Sequence, residues 1–308
     1  MKFIFTTDGH LSSKRPVART EETDELYIVH QLAKRKQMLD YAELIEAQAI
    51  LDGGDFFQYW KMDDASNLLI KLIALMQSYH IEYLTNIGNH DLQYHAMENL
   101  DNSLLGLINK IGLVGIKEIV KFGKVQVQFF HYGKELIDKT SGDYLKIAVI
   151  HENIFQKSVP PYMTGLTAEE LIQKLPNFDL YLCGHNHEQF IYPSKDKIVI
   201  NGGSIMRLNT KQDDYEPAFW EISIDEPLEH ATMRAKNIWV KKHLFNILPN
   251  MISKDHLKNK QIETFVESTQ EFAEGKEAFD FRKDVENELE VRKTEIKVKN
   301  LVYTALEN

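Results

Sequence analysis

Five short polar motifs, each at the end of an apolar run, constrain this 308-residue chain more than any other feature. The clearest is Gly88-Asn89-His90-Asp91, which follows the apolar run 81–87. Such runs are typical of buried strands, and polar side chains that follow parallel strands meet at one edge of a sheet. We therefore expect the motifs to share one crevice. In chain order the other four are Asp8-Gly9-His10, Gly54-Asp55, His151 and His185-Asn186-His187.

Strands and helices alternate in the first ninety residues of the sequence. Helices are predicted over 25–46 and 63–78, between an N-terminal strand and strands at 47–51 and 81–87. This pattern predicts parallel strands joined by right-handed crossovers. Further along, alternating apolar and polar residues favour an antiparallel pairing or a second sheet. The later strands are predicted at 116–120, 124–130, 146–150, 179–183, 197–201, 218–224 and around 239–240. We expect an α/β fold in which two sheets pack face to face with helices outside.

Beyond about residue 250 the sequence becomes rich in Lys and Glu, and its spaced Phe and aliphatic residues predict helix. We expect a domain at 1–250 followed by a helical segment at 251–308. That segment is either an accessory unit packed on the core or a docking segment for a partner, and the sequence does not separate these alternatives.

The residue types in the five motifs are those that bind divalent metals. Carboxylate, imidazole and amide donors suit manganese, zinc or iron, whereas a thiolate site needs cysteines, and the chain has only Cys183. Two neighbouring metal ions serve phosphate ester chemistry, because they hold the attacking and leaving oxygens and acidify a bridging water. The motifs therefore predict a two-metal phosphoesterase. Asp52, which competes with Asp55 for the strand-end position, is interpreted as a turn former.

Charge and cysteine content limit the function classes. The single cysteine excludes a disulfide framework and favours a reducing, cytoplasmic setting. No apolar run reaches membrane-spanning length, so we expect no membrane partner. A net charge of -10 argues against nucleic-acid binding through a broadly basic surface, although bound metal ions would add positive charge where a phosphodiester must sit. Seven histidines outside the motifs are interpreted as surface or packing residues: His30, His80, His95, His131, His230, His243 and His256.

The five motifs, over roughly residues 1–225, resemble those of the calcineurin-like metallophosphoesterase superfamily. The resemblance implies a four-layer α/β/β/α sandwich of two packed mixed sheets with a small C-terminal helical extension. Within the superfamily the chain is most similar to SbcD-type DNA repair nuclease subunits, in a compact form like those in phage genomes. The opening Met-Lys-Phe-Ile-Phe-Thr-Thr-Asp-Gly-His-Leu and the segment Asn201-Gly-Gly-Ser204 carry this similarity. Serine/threonine protein phosphatases match less well, because they would carry Glu at the position of Asp91.

The resemblance also implies a role for each motif residue. One metal would be held by Asp8, His10, Asp55 and His187, and the other by Asp55, Asn89, His151 and His185. His90 would be the catalytic acid that contacts the scissile phosphate, and Asp91 would orient His90 or be structural. Substrate would contact Arg15 and Arg19, in the loop after the first strand, and Arg207. The implied cofactors are two divalent ions, most simply Mn²⁺, with Mg²⁺, Zn²⁺ or Fe as alternatives.

The function implied is manganese-dependent hydrolysis of DNA phosphodiesters by exo- or endonuclease action, with the 3′ oxygen leaving. The implied partners are DNA, an SbcC-type coiled-coil ATPase that binds the C-terminal helical segment, and a second copy of the chain. One departure is Gln58, where nuclease relatives often carry His or Asp, so a second acid–base group is in doubt. Two alternatives stay open: a phosphodiesterase or phosphatase for small nucleotide-type substrates, and a mainly structural subunit of an ATPase–nuclease complex.

Overall fold

The computed structural model describes residues 1–17, 19, 23–62, 65–209, 212, 214–225 and 237–246. The four α-helices in this part of the chain are α1 (Asp24–Leu44), α2 (Ser66–Gln77), α3 (Leu104–Lys110) and α4 (Ala168–Lys174), and two short 3-10 helices lie at Gln93–His95 and Met97–Asn102. The first seven strands are β1 (Lys2–Thr6), β2 (Ala49–Asp52), β3 (Glu82–Thr85), β4 (Ile119–Phe122), β5 (Val125–Phe130), β6 (Leu145–Glu152) and β7 (Ile154–Phe155). The others are β8 (Leu166–Thr167), β9 (Leu180–His185), β10 (Phe190–Ser194), β11 (Lys197–Asn201), β12 (Ala218–Ile224) and β13 (Ile238–Leu244).

The first sheet has the strand order β13-β12-β1-β2-β3. Strands β1, β2 and β3 run parallel, with α1 and α2 as the connections between them, as the alternation in the sequence predicts. The sheet is completed by β12, antiparallel to β1, and by β13, antiparallel to β12. Its three parallel strands therefore end at the same edge, which is where the first three motifs follow.

The second sheet has the order β10-β11-β9-β6-β5-β4 and confirms the expectation of a second, mixed sheet. Its four central strands are parallel, while β4 and β10 pair antiparallel at the two edges. The alternating strand β5 is buried along its whole length. Its Gln128 is accommodated because the side chain bonds the backbone of Ile137 and Lys139 in the loop that follows. A small two-stranded sheet pairs β7 with β8.

Three buried apolar clusters define the layers. One fills the space between the sheets and contains Phe3, Val127 and Leu182. A second lies on the outer face of the first sheet, where residues of α1, α2 and α3 cover it. The third lies on the outer face of the second sheet against α4. This arrangement confirms the predicted α/β/β/α sandwich, in which each sheet buries apolar side chains on both faces.

The predicted boundaries differ from the observed ones by a few residues. Helix α1 begins at Asp24 because the Thr23 side chain caps it by accepting from the Leu26 N–H, and it ends at Leu44 rather than 46. The predicted start of α2 at residue 63 lies outside the described residues, as do the boundary at 250 and the helical segment 251–308. None of the described helices combines the length and the apolar character that a bilayer crossing requires.

Candidate metal centre

The two sheets contribute to one site at the carboxyl ends of their parallel strands. The first sheet supplies Asp8, Asp55 and Asn89, which follow β1, β2 and β3 respectively. The second sheet supplies His151 near the end of β6 and His185 at the end of β9. Asn86, just after β3, joins the sheets here: its buried side-chain amide donates to the carbonyls of Phe130 and Val149. The site therefore lies where the two sheets meet.

The first group of donor atoms comprises Asp8, His10 and His187. Asp8 Oδ1 lies 3.5 Å from His187 Nε2 and 3.8 Å from His10 Nε2. The two imidazole Nε2 atoms are 3.0 Å apart. One ligand atom from each of the three residues lies within 4.8 Å of the others, which is close enough to hold one ion.

The second group is built around Asp55. Its Oδ2 lies 3.3 Å from His151 Nε2, and that nitrogen lies 3.3 Å from Asn89 Oδ1. His185 completes a set with Asp55 and His151 within 4.8 Å. Asp55 Oδ2 is also 3.7 Å from His10 Nε2 in the first group. Asp55 is thus the carboxylate that adjoins both groups.

The backbone at these positions is strained. Asp8, His10, Asp55 and His185 all have positive φ, between 43° and 81°, a region that side-chain-bearing residues rarely adopt. Such strain persists only where the surrounding structure enforces it, and it concentrates at functional sites. Two loop-to-loop hydrogen bonds support the strained backbone of Asp8, His10 and Asp55, because Asp8 N and His10 N donate to the carbonyls of Gly54 and Asp55 at 2.9 Å. The loops after β1 and β2 therefore hold each other in place.

Glycine is required where these loops meet. A Cβ on Gly88 would lie 2.0 Å from Asp55 Oδ1 and 2.3 Å from the Asp55 backbone nitrogen, closer than any real contact. At Gly184 a Cβ would lie 2.0 Å from Thr7 Oγ1. These close approaches allow Asp55 and Asp8 to sit directly beneath the neighbouring strand ends.

We expect Gly88→Ala to lower the free energy of unfolding by about 1–3 kcal/mol, because the added methyl group overpacks a buried backbone contact. Activity should fall more steeply than stability, since Asp55 is the group displaced. Urea unfolding and diester hydrolysis measure the two effects. Gly115→Ala is the control, because its Cβ would meet the far end of the Leu84 side chain at 2.9 Å and no backbone atom closer than the Tyr83 carbonyl at 3.8 Å. Wild-type stability and activity in Gly88→Ala would contradict this reading of the contact.

The donor set fits divalent metal ions. His151 Nδ1 donates to the Gly53 carbonyl at 2.8 Å, which leaves Nε2 as the ring nitrogen that faces Asp55 and Asn89. A backbone carbonyl bound to the second ring nitrogen is the usual support of a metal-ligating histidine. The residues of both groups also offer only nitrogen and oxygen donors, the chemistry that manganese, iron and zinc accept.

The electrostatics of the site favour positive charge between the two carboxylates. Burial, the largest influence, lowers the pKa of His151, but the attraction of Asp55 outweighs it and raises this pKa to about 9. Burial is also the largest influence on His10 and His185, and it lowers their pKa to about 3 and about 4. These two rings are therefore neutral, which is the form of histidine that binds a metal.

His90 lies at the rim of the site and is oriented by a backbone carbonyl. Its Nδ1 is 2.8 Å from the Gln58 carbonyl oxygen, and its own backbone N–H donates to Asp55 Oδ1 at 2.9 Å. The ring packs edge-on against His10, with centroids 4.8 Å apart. Proximity also groups His90 with Asp55 and His10 as a possible ligand set, so distance alone does not distinguish a ligand from an acid.

Of the two roles left open for Asp91, to orient His90 or to be structural, its contacts support the structural one. Asp91 is fully buried, and its carboxylate accepts from the backbone N–H groups of Phe56, Phe57 and Gly88. These bonds join the loop after β2 to the turn after β3, while the Gln58 carbonyl takes the orienting position beside His90. The sequence singled out Gln58 for its side chain, and a backbone carbonyl leaves no signal in a sequence.

A cavity of about 290 Å³ adjoins His10, His90 and His187. Lys14, Arg15 and Tyr59 are among the residues that line its other walls. Arg15, one of the three arginines predicted to bind substrate, therefore reaches this cavity.

The other two predicted arginines do not line the cavity. Arg19 is only 1% exposed and donates to the Arg207 carbonyl, so its position gives no support to a direct substrate contact. Arg207 Nε is engaged with the Tyr215 carbonyl at 2.7 Å.

Aromatic residues that the motifs did not include form the wall beside the second group. The Tyr132 ring lies 5.5 Å from that of His185 and 6.1 Å from that of His151. His95, interpreted from sequence as a packing residue, contacts the Asn89 carbonyl through Nδ1 at 2.8 Å. Tyr132 lies just beyond the apolar run of β5, and this position after a strand is the sequence feature that could have identified it as a site residue.

The chain matches one protein family, and solved structures of other proteins align with it. The family model described as calcineurin-like phosphoesterase matches residues 1–189. Among solved structures, a dimetal phosphatase from Danio rerio has a similar fold, with a TM-score of 0.50 and 11% identity over 82% of this chain and 99% of that chain. An archaeal phosphodiesterase aligns with a TM-score of 0.41 and 14% identity, over 80% of this chain and 100% of that chain. A search of curated proteins gives no significant match.

The family model spans all five motifs up to His187, and the fold and the His/Asp groups able to hold metals accord with the dimetal centre that this family uses. The chain therefore belongs to the calcineurin-like phosphoesterase family, whose members are metal-dependent hydrolases of phosphoester bonds.

Proposed function

We propose that this chain is a manganese-dependent DNA nuclease of the SbcD type, acting in DNA repair or recombination. The cavity beside the metal centre is the observation that carries the proposal. His90, Lys14 and Arg15 are among the residues that line the cavity, with Lys14 also paired to Asp24 and Arg15 bound to the Arg19 carbonyl. A phosphate monoester needs only a phosphoryl site, whereas a nucleic acid also places a nucleoside and a further phosphate next to the scissile bond. The cavity offers room for the nucleoside, and its cationic residues offer positive charge for the further phosphate. Both features favour a nucleic acid as the substrate.

We assign Asp8, His10, Asp55 and His187 to one metal ion, and Asp55, Asn89, His151 and His185 to the other. The close approach of donor atoms within each group supports this division, as does the position of Asp55 between them. When bound, the two ions would supply an acidified water as nucleophile and hold the phosphate oxygens. The His151 Nδ1–H bond to Gly53 keeps this ring in its ligating tautomer.

His90 supplies the proton for the leaving oxygen. Its Nδ1 is bound to the Gln58 carbonyl, so Nε2 is the ring nitrogen from which a proton can pass to the leaving oxygen. Because the ring borders the cavity, the leaving group is expected to lie there. His90 thus connects the phosphate site to the nucleoside site.

Arg15→Gln is expected to weaken DNA binding without changing small-diester hydrolysis. Loss of one phosphate contact should raise KM for DNA and reduce the slope of log affinity against log salt by about 0.7–0.9. Hydrolysis at several salt concentrations measures both. Lys36→Gln is the control, since Lys36 is an exposed cation on α1 that pairs with Asp40. An equal rise in KM for DNA and for a small diester would contradict the proposal that Arg15 binds the phosphate next to the scissile bond.

We further propose that an SbcC-type coiled-coil ATPase binds the C-terminal segment and that the chain forms homodimers. The apolar spacing of Val285, Leu289, Ile296 and Leu301 supports a dock within 279–306, a region outside the described residues. Capture of the ATPase should be lost when residues 276–308 are deleted. Capture that survives the deletion would place the dock elsewhere.

The second candidate is a phosphodiesterase or phosphatase for small nucleotide-type substrates. The net charge of -10 favours it, because an acidic surface repels a long polyanion but has less effect on a small ligand. Its substrate would occupy the same cavity. The two candidates differ in whether substrate length matters.

The deciding experiment is digestion of end-labelled duplex and single-stranded DNA by the purified chain with Mn²⁺, beside bis-p-nitrophenyl phosphate and a His90→Leu control. We expect DNA cleavage that disappears in His90→Leu, with product lengths that give the polarity. Diester hydrolysis without DNA cleavage, even after the ATPase partner is added, would overturn the nuclease proposal and favour the small-substrate enzyme.

A further inference from the structure

A charged side chain is buried behind the metal centre without belonging to it. Arg35, on α1, is 1% exposed, and its guanidinium lies 4.1 Å above the ring of Phe56, the residue directly after Asp55. The nitrogen Nη2 approaches the loop after β1 so closely that a Cβ on Gly9 would lie 2.9 Å away. Arg35 therefore touches both loops that carry the acidic residues of the centre.

Arg35 is linked to a buried carboxylate through one tyrosine. Its Nη1 donates to the Tyr83 hydroxyl at 2.6 Å, and that hydroxyl donates to Asp52 Oδ2 at 2.6 Å. All three residues are buried, with exposed fractions of 1–4%. The other oxygen of Asp52, Oδ1, accepts from Gly54 N at 3.0 Å, which forms the turn that leads into Asp55.

The chain of contacts continues into the site. The Gly54 carbonyl accepts from Asp8 N, and the Asp55 carbonyl accepts from His10 N, each at 2.9 Å. Asp8, His10 and Asp55 all hold strained, positive φ angles that hydrogen bonding must maintain. The path from Arg35 through Tyr83 and Asp52 thus ends on the backbone whose conformation aims these three side chains.

We propose that Arg35, Tyr83 and Asp52 form a positioning network that fixes the two loops bearing Asp8, His10 and Asp55 in their metal-binding geometry. The inference rests on the proposed assignment of those three residues as ligands. The network acts through three connections: guanidinium stacking on Phe56, close packing against Gly9, and the hydrogen bonds through Tyr83 and Asp52 to Gly54. Partners outside the ligand shell commonly tune metal affinity in this way.

If the network only stabilised the fold, its loss would lower stability without changing metal affinity. The chain offers a matched control for this alternative. Tyr41 also lies on α1, and its hydroxyl donates to the carboxylate of Glu221 at 2.7 Å. This pair packs near Phe219 and His243 of the first sheet's outer strands, so it reproduces the tyrosine–carboxylate bond without the connection to the metal loops.

The test compares Tyr83→Phe with Tyr41→Phe in the full-length chain. Calorimetric titration with Mn²⁺ gives the metal Kd, and thermal unfolding of the metal-free chain gives the effect on the fold. We expect Tyr83→Phe to weaken Mn²⁺ binding by about 10-fold, the lower end of the range for direct outer partners of ligands, because Tyr83 acts through Asp52. Tyr41→Phe should lower the unfolding temperature and leave the Kd unchanged. Equal Kd values in wild type and Tyr83→Phe, or equal weakening in both variants, would overturn the proposal.

Arg35→Lys is the second variant, needed if Tyr83→Phe does not fold. Lysine keeps the buried positive charge but lacks the planar fork that contacts Phe56, Gly9 and Tyr83 together. We expect weaker Mn²⁺ binding here as well, and a wild-type Kd would overturn the positioning role of Arg35. A wild-type chain that binds no Mn²⁺ would instead reject the proposed metal centre, so the two failures are distinguishable.

Discussion

Replacement of Asp55 by alanine is expected to abolish both metal binding and turnover. Asp55 Oδ2 lies 3.7 Å from His10 Nε2 and 3.3 Å from His151 Nε2, so both metal positions lose a carboxylate when it is removed. The loss should exceed the roughly 10- to 100-fold that removal of an outer partner of a ligand causes. The other carboxylate oxygen of Asp55, Oδ1, accepts from the His90 backbone N–H. The replacement therefore also removes a hydrogen bond that fixes the turn carrying His90.

Metal analysis of the dialysed protein, together with diester hydrolysis, measures the effect of Asp55→Ala. Asp101→Ala is the control, because Asp101 is an exposed carboxylate paired with Lys110 at the surface. Two ions retained by Asp55→Ala would show that this carboxylate is not shared between the metal positions.

Replacement of His90 by leucine is expected to abolish DNA cleavage and to leave both metal ions bound. Loss of a general acid typically lowers the rate about 100- to 10,000-fold. The effect should depend on the leaving group: p-nitrophenolate leaves readily without a proton, so bis-p-nitrophenyl phosphate should lose much less activity than DNA. A ligand would not produce this difference, because metal loss affects both substrates.

The two readouts for His90→Leu are the ratio of DNA to small-diester activity and the bound metal content. His80→Leu serves as control, since His80 is exposed on the loop before β3. Loss of metal in His90→Leu, or an equal loss of activity with both substrates, would reassign His90 from acid to ligand.

The features that could be predicted from sequence are those that depend on short-range periodicity. Apolar runs that end in polar motifs predicted the strands of the first sheet and their common edge. The strands at 124–130 and 146–150 were predicted correctly, but their parallel pairing as β5 and β6 was not. The direction of pairing depends on contacts between distant residues. The short helix α4 was missed, although Thr167 and Glu170 form a capping box that was readable in the sequence.

The parts of the site that escaped prediction depend on contacts between distant segments. A sequence motif cannot show that the Gln58 carbonyl, rather than Asp91, orients His90. The outcome depends on how the loop after β2, which carries Gln58, packs against the turn that carries His90 and Asp91. Arg19 is buried where it donates to the carbonyl of Arg207, 188 positions away in the sequence. Likewise Arg35 reads as an exposed helical charge until the fold places Phe56 beneath it.

The most direct test of the central claim, that this is a two-metal phosphoesterase, is a calorimetric titration of the metal-free chain with Mn²⁺. The account predicts two ions per chain in the wild type and loss of binding in Asp55→Ala. One ion or none per wild-type chain, or two ions bound by Asp55→Ala, would contradict it.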